Sequence, residues 1–406
     1  MKILFYNHTG QASGAEYLLL MILARLNRES FDPVVLCPES GPLKNMVADL
    51  SVPVEIVAAL DARFTSRGDH LARYLKSFIH VVRNVRRKVV TIEPDLIHAN
   101  SIRAGLVATV ATIGLGTKVI WHLHDLLPRH PLSTLIRFYA LLSTRARMIA
   151  VSRAVTVNFS GAFSALTERV TAILNGIDLG KFQQNETARQ EVRGELKLSE
   201  AEFVIGIVGQ LTPRKGQLEL VRAFATVLKE LPRATLVIVG APLFNRDEEY
   251  AQLLKDTALK LGIAERVRLI GARGDVPTVM QALDLLVVNS WVEPFGLVAL
   301  ESMACGTPVL AAISGGIPEL LEHDRNGWLI PQGDERALAG AIVNLARRPT
   351  KLAELAARGK SHIASCFSAE RYMNELQAFY QSNCDQAKLT AVENPRDNQA
   401  EAVEFA

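Results

Sequence analysis

Two glutamates, an adjacent pair of cations and a few histidines and glycines are the residues of this sequence whose types and spacing could do chemistry. Glu293 and Glu301 lie in the run Asn289-Ser290-Trp291-Val292-Glu293-Pro294-Phe295-Gly296-Leu297-Val298-Ala299-Leu300-Glu301. A helix is expected to open near Gly296, leaving Glu293 in the loop and Glu301 just over one turn inside. Helical side chains lean toward the helix start, so Glu301 can reach back toward whatever Glu293 touches. The amides of Phe295, Gly296 and Leu297 would meet an anion there, and Gly296 lets it approach the backbone. A carboxylate in so apolar a helix is costly unless it is paired or used. A solvated Glu301 behind a helix-start Glu293 is the plainer alternative. The second element is Gly209-Gln210-Leu211-Thr212-Pro213-Arg214-Lys215-Gly216, expected between a strand and a helix. The planar fork of Arg214 and the point charge of Lys215 suit a diphosphate, although an exposed Arg-Lys pair is also ordinary loop composition.

Further loops share the rim where strands end. Gly315-Gly316-Ile317-Pro318-Glu319 could bring backbone amides to a ligand, or simply form a tight turn with Pro318 at the first helical position. Gly271-Ala272-Arg273-Gly274-Asp275-Val276-Pro277 places Arg273 within reach of a base or ribose, with Asp275 as a helix cap. In the amino-terminal half, the loop Asn7–Glu16 follows a strand and carries Gly10, Gly14 and Glu16, but lacks the Gly-x-Gly-x-x-Gly spacing of a dinucleotide site. Trp121-His122-Leu123-His124-Asp125 closes another strand, and His122 reads as a packed core histidine. His98 and Asn100 join the rim by position alone.

The elements that must hold these residues alternate: short β-branched runs, then longer helical patterns, the signature of parallel strands and crossover helices. Strands are expected near Ile3–Tyr6, Val34–Cys37, Leu96–His98, Val119–His122, Met148–Val151 and Val170–Leu174. A second series runs near Val204–Val208, Leu236–Val239, Val267–Ile270, Leu285–Val288, Val309–Ala311 and Trp328–Ile330. The fold class is therefore α/β, two doubly wound Rossmann-like domains facing across a cleft, with ligands at the carboxyl ends of the strands. The domains are expected at 1–177 and 178–365, divided after the turn dipeptide Asn175-Gly176. A closing helix at 366–382, with Phe367, Tyr372, Leu376 and Phe379 apolar, would pack back on the first domain. The polar, acidic residues 383–406 read as a disordered tail.

The half from Gly209 to Leu329 resembles the carboxyl-terminal domain of glycosyltransferase family four, the retaining enzymes of the GT-B fold. The Glu-(seven residues)-Glu spacing of Glu293 and Glu301 is that family's hallmark, here with Pro294-Phe295-Gly296 between them. The resemblance extends more loosely over about the first 380 residues. It implies a retaining transferase moving a sugar from a nucleotide-diphosphate sugar to a glycan or lipid-linked acceptor, in cell-surface polysaccharide or glycoconjugate synthesis. By the same resemblance Arg214 and Lys215 hold the diphosphate, Glu293 a donor-sugar hydroxyl and Glu301 the ribose. Gly209, Arg273, Phe295, Gly296, Leu297 and Gly316 complete the donor side. Gly10, Gly14, Glu16 and His98 stand on the acceptor side, and His124 would hydrogen-bond a sugar hydroxyl. Gln210 departs from the arginine that many members carry after the first glycine, so Arg214 serves instead or the diphosphate has fewer contacts. A sugar-nucleotide epimerase or hydrolase, or a non-catalytic sugar-nucleotide binder, would share this architecture.

Composition is ordinary for a globular protein, 49% apolar and 21% charged over 406 residues. No apolar run reaches the length of a membrane span, and the first residues read as a buried strand rather than a signal peptide. The cysteines Cys37, Cys305, Cys366 and Cys384 show no metal or redox spacing, which fits reduced thiols in the cytoplasm. No tightly bound cofactor, metal or nucleic acid is implied. The net charge of +3 divides unevenly: residues 1–177 carry 20 Lys and Arg against 12 acids, the remainder 25 against 30. Arg73, Lys76, Arg83, Arg86, Arg87 and Lys88 cluster in 70–92 with Leu71, Leu75, Phe78, Val82, Val85 and Val89 at helical spacing. Such a basic amphipathic helix packs its stripe on the sheet or lies on an anionic membrane.

Overall fold

The computed structural model describes residues 1–60, 68–183, 185–242 and 247–392. By contacts the chain forms two compact units: Met1–Ala150, Ala162–Ile173 and the chain from Glu370 make the first, and Val151–Gly161 with Leu174–Ala369 the second.

The first unit is built on seven parallel strands: β1 (Lys2–Tyr6), β2 (Asp32–Pro38), β3 (Val54–Val57), β4 (Leu96–Ala99), β5 (Lys118–Leu123), β6 (Ala146–Ala150) and β7 (Val170–Ala172). Their order is β3-β2-β1-β4-β5-β6-β7, so the winding reverses between β1 and β4. β3 was not among the expected strands; the half-buried run Val-Glu-Ile-Val after Pro53 is only four residues long and interrupted by a charge, short enough to pass for loop. Leu19, Ile22, Val35, Ile120 and Ile149 pack on Ile3 and Phe5, and Tyr372, Met373, Leu376 and Tyr380 from the last helix complete that core. This helix spans Ala369–Val392 and thus runs past the expected end at 382; residues from 393 lie outside those described. Its buried rings are Tyr372 and Tyr380, with Phe379 only partly covered, while Phe367 precedes the helix and belongs to the second unit.

The basic helix runs over Gly68–Ile92. Its stripe is shifted from the expected one: Val81, Val85 and Val89 are buried, whereas Leu75 is exposed and the Leu71 side chain lies outside those described. Arg86 donates to the carbonyls of Ala111 and Ile113, and Lys88 pairs with Glu55 at 2.6 Å. The apolar face is occupied by packing within the unit.

The second unit holds six parallel strands: β8 (Phe203–Val208), β9 (Ala234–Val239), β10 (Val267–Gly271), β11 (Leu285–Val288), β12 (Val309–Ala312) and β13 (Trp328–Ile330). Their order is β10-β9-β8-β11-β12-β13, reversing between β8 and β11. β9, β11 and β12 are buried along their whole length, as continuous apolar runs covered on both faces should be. Val151–Gly161 joins this unit because Ser152 Oγ donates to the Pro294 carbonyl and Glu319 caps the helix Arg153–Ser160 through the amides of Arg153 and Ala154.

Candidate functional site

At the switch point of the second sheet, the loops after β8 and β11 are neighbours, and hydrogen bonds join them. The β8 loop tightens into a 3₁₀ turn at Pro213–Lys215, and Gly216 then opens the helix Gln217–Glu230. Gly216 has φ +71°, and a Cβ there would sit 2.1 Å from the Asn289 carbonyl oxygen, so no other residue fits. Asn289 Nδ2 donates to the Gly216 carbonyl at 3.1 Å, and the Trp291 amide to the Arg214 carbonyl at 2.8 Å. Arg214 donates to the Val292 carbonyl at 3.1 Å. Lys215 Nζ reaches Glu293 Oε2 at 2.7 Å, and Ser290 Oγ donates to the same oxygen at 2.9 Å. Glu293 is only 7% exposed, and its carbonyl accepts from the Gly316 amide at 2.9 Å. Arg214, Lys215, Glu293 and Gly316 therefore form one cluster around the ends of β8 and β11.

Gly296, at φ +108°, starts the helix Leu297–Ala304 and has no side chain to cap it, so the first-turn amides are free for an anion. Phe295 is a core residue packed against Phe367; only its backbone is available to a ligand. The Glu301 carboxyl, one turn in, has no hydrogen-bond or ion-pair partner among the described residues. Burial pushes its carboxyl up to about 7, with the Lys215 ammonium pulling the other way. Such a group neighbours the cation without being paired by it, and it is available to a ligand hydroxyl. Arg273 is not part of this cluster: its guanidinium is clamped by Asp275 at 2.7 Å and by Glu195 at 3.0 Å. The expected approach to a base or ribose would require breaking both pairs.

The first unit repeats the arrangement at its own switch point, where the loops after β1 and β4 meet. Ser13 and Glu16 form a capping box on the helix Gly14–Arg25, and Asn7 Nδ2 donates to Glu16 Oε1 at 3.2 Å. Asn100 Nδ2 donates to Asn7 Oδ1 at 2.9 Å, and Asn100 Oδ1 lies 3.0 Å from His124 Nε2. Because the Glu16 carboxylate only accepts, each amide is oriented by the one before it, and the proton on His124 must sit on Nε2. His124 Nδ1 then carries a lone pair and has no partner among the described residues. Burial lowers the His124 pKa to about 3, keeping it neutral.

Two expected acceptor-side residues are corrected by this geometry. His98 is fully buried, between Tyr380 at 2.7 Å and His122 at 3.1 Å, and touches no surface. Glu16 is 3% exposed and is engaged by the cap and Asn7, so it shapes the loop rather than meeting a ligand. Gly10 lies against the Ser40 carbonyl and holds the loop close to it, while Gly14 is exposed at the helix start. Sequence reasoning missed Asn7, Ser152 and Ser290; each is a small polar residue ending or following an apolar run, the signal that could have found them.

Models of two families cover most of the chain: "Glycosyltransferase Family 4" matches residues 12–181 and "Glycosyl transferases group 1" residues 188–362. The structure matches that of HepE from Anabaena in complex with UDP and glucose with a TM-score of 0.81 and 31% identity, over 94% of this chain and 100% of that one. The chain belongs to glycosyltransferase family four. A second HepE structure, in complex with UDP-glucose, matches this family-four chain with a TM-score of 0.82 at 30% identity, again over 94% and 100% of the two chains. The D-inositol 3-phosphate glycosyltransferase of Salinispora tropica is 28% identical over 400 residues, covering 92% of this chain and 81% of that one. The two doubly wound α/β units are those of the GT-B class.

Proposed function

We propose that this protein is a retaining glycosyltransferase that moves a sugar from a nucleotide-diphosphate sugar, a UDP-sugar first among the candidates, to a glycan or lipid-linked acceptor. The observation that carries the reading is the cluster at the β8–β11 switch point. It joins a half-buried cation, an uncapped helix start and an unpaired carboxylate, three features that suit diphosphate and sugar hydroxyls together. The UDP-glucose in HepE supports the choice of nucleotide. In this reading Lys215 and Arg214 steady the diphosphate, helped by the amides of Gly296 and Leu297 and the loops at Gly209 and Gly316. Glu293 takes a donor-sugar hydroxyl, Glu301 the ribose, and His124 Nδ1 accepts from a sugar hydroxyl. The leaving diphosphate accepts the acceptor's proton as the new bond forms on the same face. Catalysis then rests on stabilising the departing charge. The first unit is the acceptor-binding half and the second the donor-binding half.

The product belongs to cell-surface polysaccharide or glycoconjugate synthesis, and the enzyme works at the cytoplasmic face of a membrane. The exposed basic face of the helix Gly68–Ile92, with Lys76, Arg83 and Arg87, supports peripheral attraction. The named relatives favour one second reading of the acceptor, an inositol phosphate.

A thermal-shift screen against UDP-, GDP- and ADP-sugars identifies the donor, since binding to the native state raises its melting temperature. Turnover of the donor so found is expected to fall roughly a hundredfold or more in Lys215→Ala and in Glu301→Ala, with the fold retained. Near-normal rates in both variants would sink the site assignment.

A further inference from the structure

The helix Pro131–Leu142 in the first unit is built inside out. Its buried residues are the small Ser133 and Ala140, while Leu132, Leu135, Phe138 and Leu142 are 39%, 62%, 50% and 63% exposed. These four recur at spacings of three, three and four, so they form one apolar stripe facing solvent instead of the core. A contiguous patch of this kind on a soluble surface marks a docking site. Its surroundings say what docks. Arg129, His130, Pro131, Thr134, Leu135 and Arg137 line one open depression, which puts two guanidinium groups beside the stripe. Arg129 and Arg137 are the charged groups of that depression, and none of its lining residues is acidic. Two copies of so basic a face would repel each other, whereas an anionic surface with an apolar layer beneath it matches both features.

We propose that the helix Pro131–Leu142 is the surface by which this protein seats on an anionic lipid bilayer. Leu135, Phe138 and Leu142 enter the acyl boundary, and Arg129 and Arg137 meet headgroup phosphates. This rests on the peripheral association proposed above and supplies the surface for it. The helix Gly68–Ile92 contributes mainly charge, because Val81, Val85 and Val89 are buried in the unit and its exposed Leu75 and Ile79 stand among Lys76 and Arg83. A helix of twelve residues lies in the interface and cannot span it, and no helix among the described residues is long and apolar enough to cross a membrane.

The test is flotation of the full chain with phosphatidylcholine vesicles, with and without phosphatidylglycerol, at low and high salt. The wild type is expected to float with the phosphatidylglycerol vesicles at low salt and to stay behind with phosphatidylcholine alone. Leu135→Glu/Phe138→Glu, at exposed positions, is expected to lose at least roughly tenfold in vesicle affinity, a loss of about 1.4 kcal/mol, with an unchanged melting curve and unchanged turnover of soluble donor. Flotation lost in Arg83→Glu/Arg87→Glu but intact in Leu135→Glu/Phe138→Glu would keep the membrane association and overturn this surface. A wild type that never floats overturns both. A wild-type dimer in sedimentation that becomes monomeric in the leucine–phenylalanine variant, with no vesicle binding, would assign the stripe to a second copy.

Discussion

Glu301 sits in an apolar helix with one cation nearby, and its protonation links stability to pH. Its carboxyl is raised to about 7, mainly by burial, from an ordinary value of 4.5. Between those two values the native state holds more proton than the unfolded chain, so stability falls as pH rises through this window and levels off above it. The expected size is on the order of 1–3 kcal/mol. Glu301→Gln should flatten that slope in urea titrations at pH 5 and pH 8; an equal slope in both proteins would remove Glu301 as its source. His124 offers a different check. If the amides of Asn7 and Asn100 fix its proton on Nε2, ring nitrogen shifts of ¹⁵N-labelled protein should report that tautomer, and Asn100→Ala should release it to a mixture. A wild-type Nδ1–H signal would reverse the assignment. Residue types announced Glu293, Glu301, Arg214 and Lys215. They could not announce that Arg273 is clamped by Glu195, a residue 78 positions away, or that His98 lies under Tyr380, 282 positions away.

At the level of elements, the cluster proposed as the donor site depends on glycines that let loops approach closely. Gly216 combines a positive φ with a Cβ position 2.1 Å from a backbone oxygen, and loops cannot relax around a backbone as they do around a flexible side chain. Gly216→Ala is expected to cost about 1–3 kcal/mol and to weaken donor binding. Gly194→Ala, in the helix Glu186–Glu195 with nothing within 4 Å of the added carbon, should stabilise by about 0.5–1 kcal/mol. Melting temperatures of the two variants should move in opposite directions, and a shared direction would contradict this account of the loop. Strands and helices were largely legible because β11 and β12 are continuous apolar runs and the crossover helices carry their period in the sequence. β3 was not, since an edge strand of four residues is too short for a period to show.

For the whole molecule, the first strands and the helix Ala369–Val392 share one core. Tyr372, Met373, Leu376 and Tyr380 pack on strands contributed by the first hundred and fifty residues. Removing the chain after Ala369 would uncover these contacts, at roughly 1.5–3 kcal/mol for each large side chain, a sum comparable to the whole stability of about 5–15 kcal/mol of a typical domain. Calorimetry of that truncated chain is expected to show one unfolding transition where the full chain shows two, with the second unit's transition kept. Two transitions in both chains would mean the helix is dispensable.

Sequence alone determined the α/β class, all but one strand of the two series, and the four residues proposed for the donor site, because period, apolar runs and a Glu-x₇-Glu spacing are local properties that short-range physics makes readable. Tertiary structure decided the rest. It put Val151–Gly161 with the second unit, buried His98, turned Asn7, Asn100 and His124 into one oriented chain, and left the leucines of Pro131–Leu142 outside. Each of these depends on which distant segments become neighbours, and a pattern with a period of two or 3.6 residues holds no information about that.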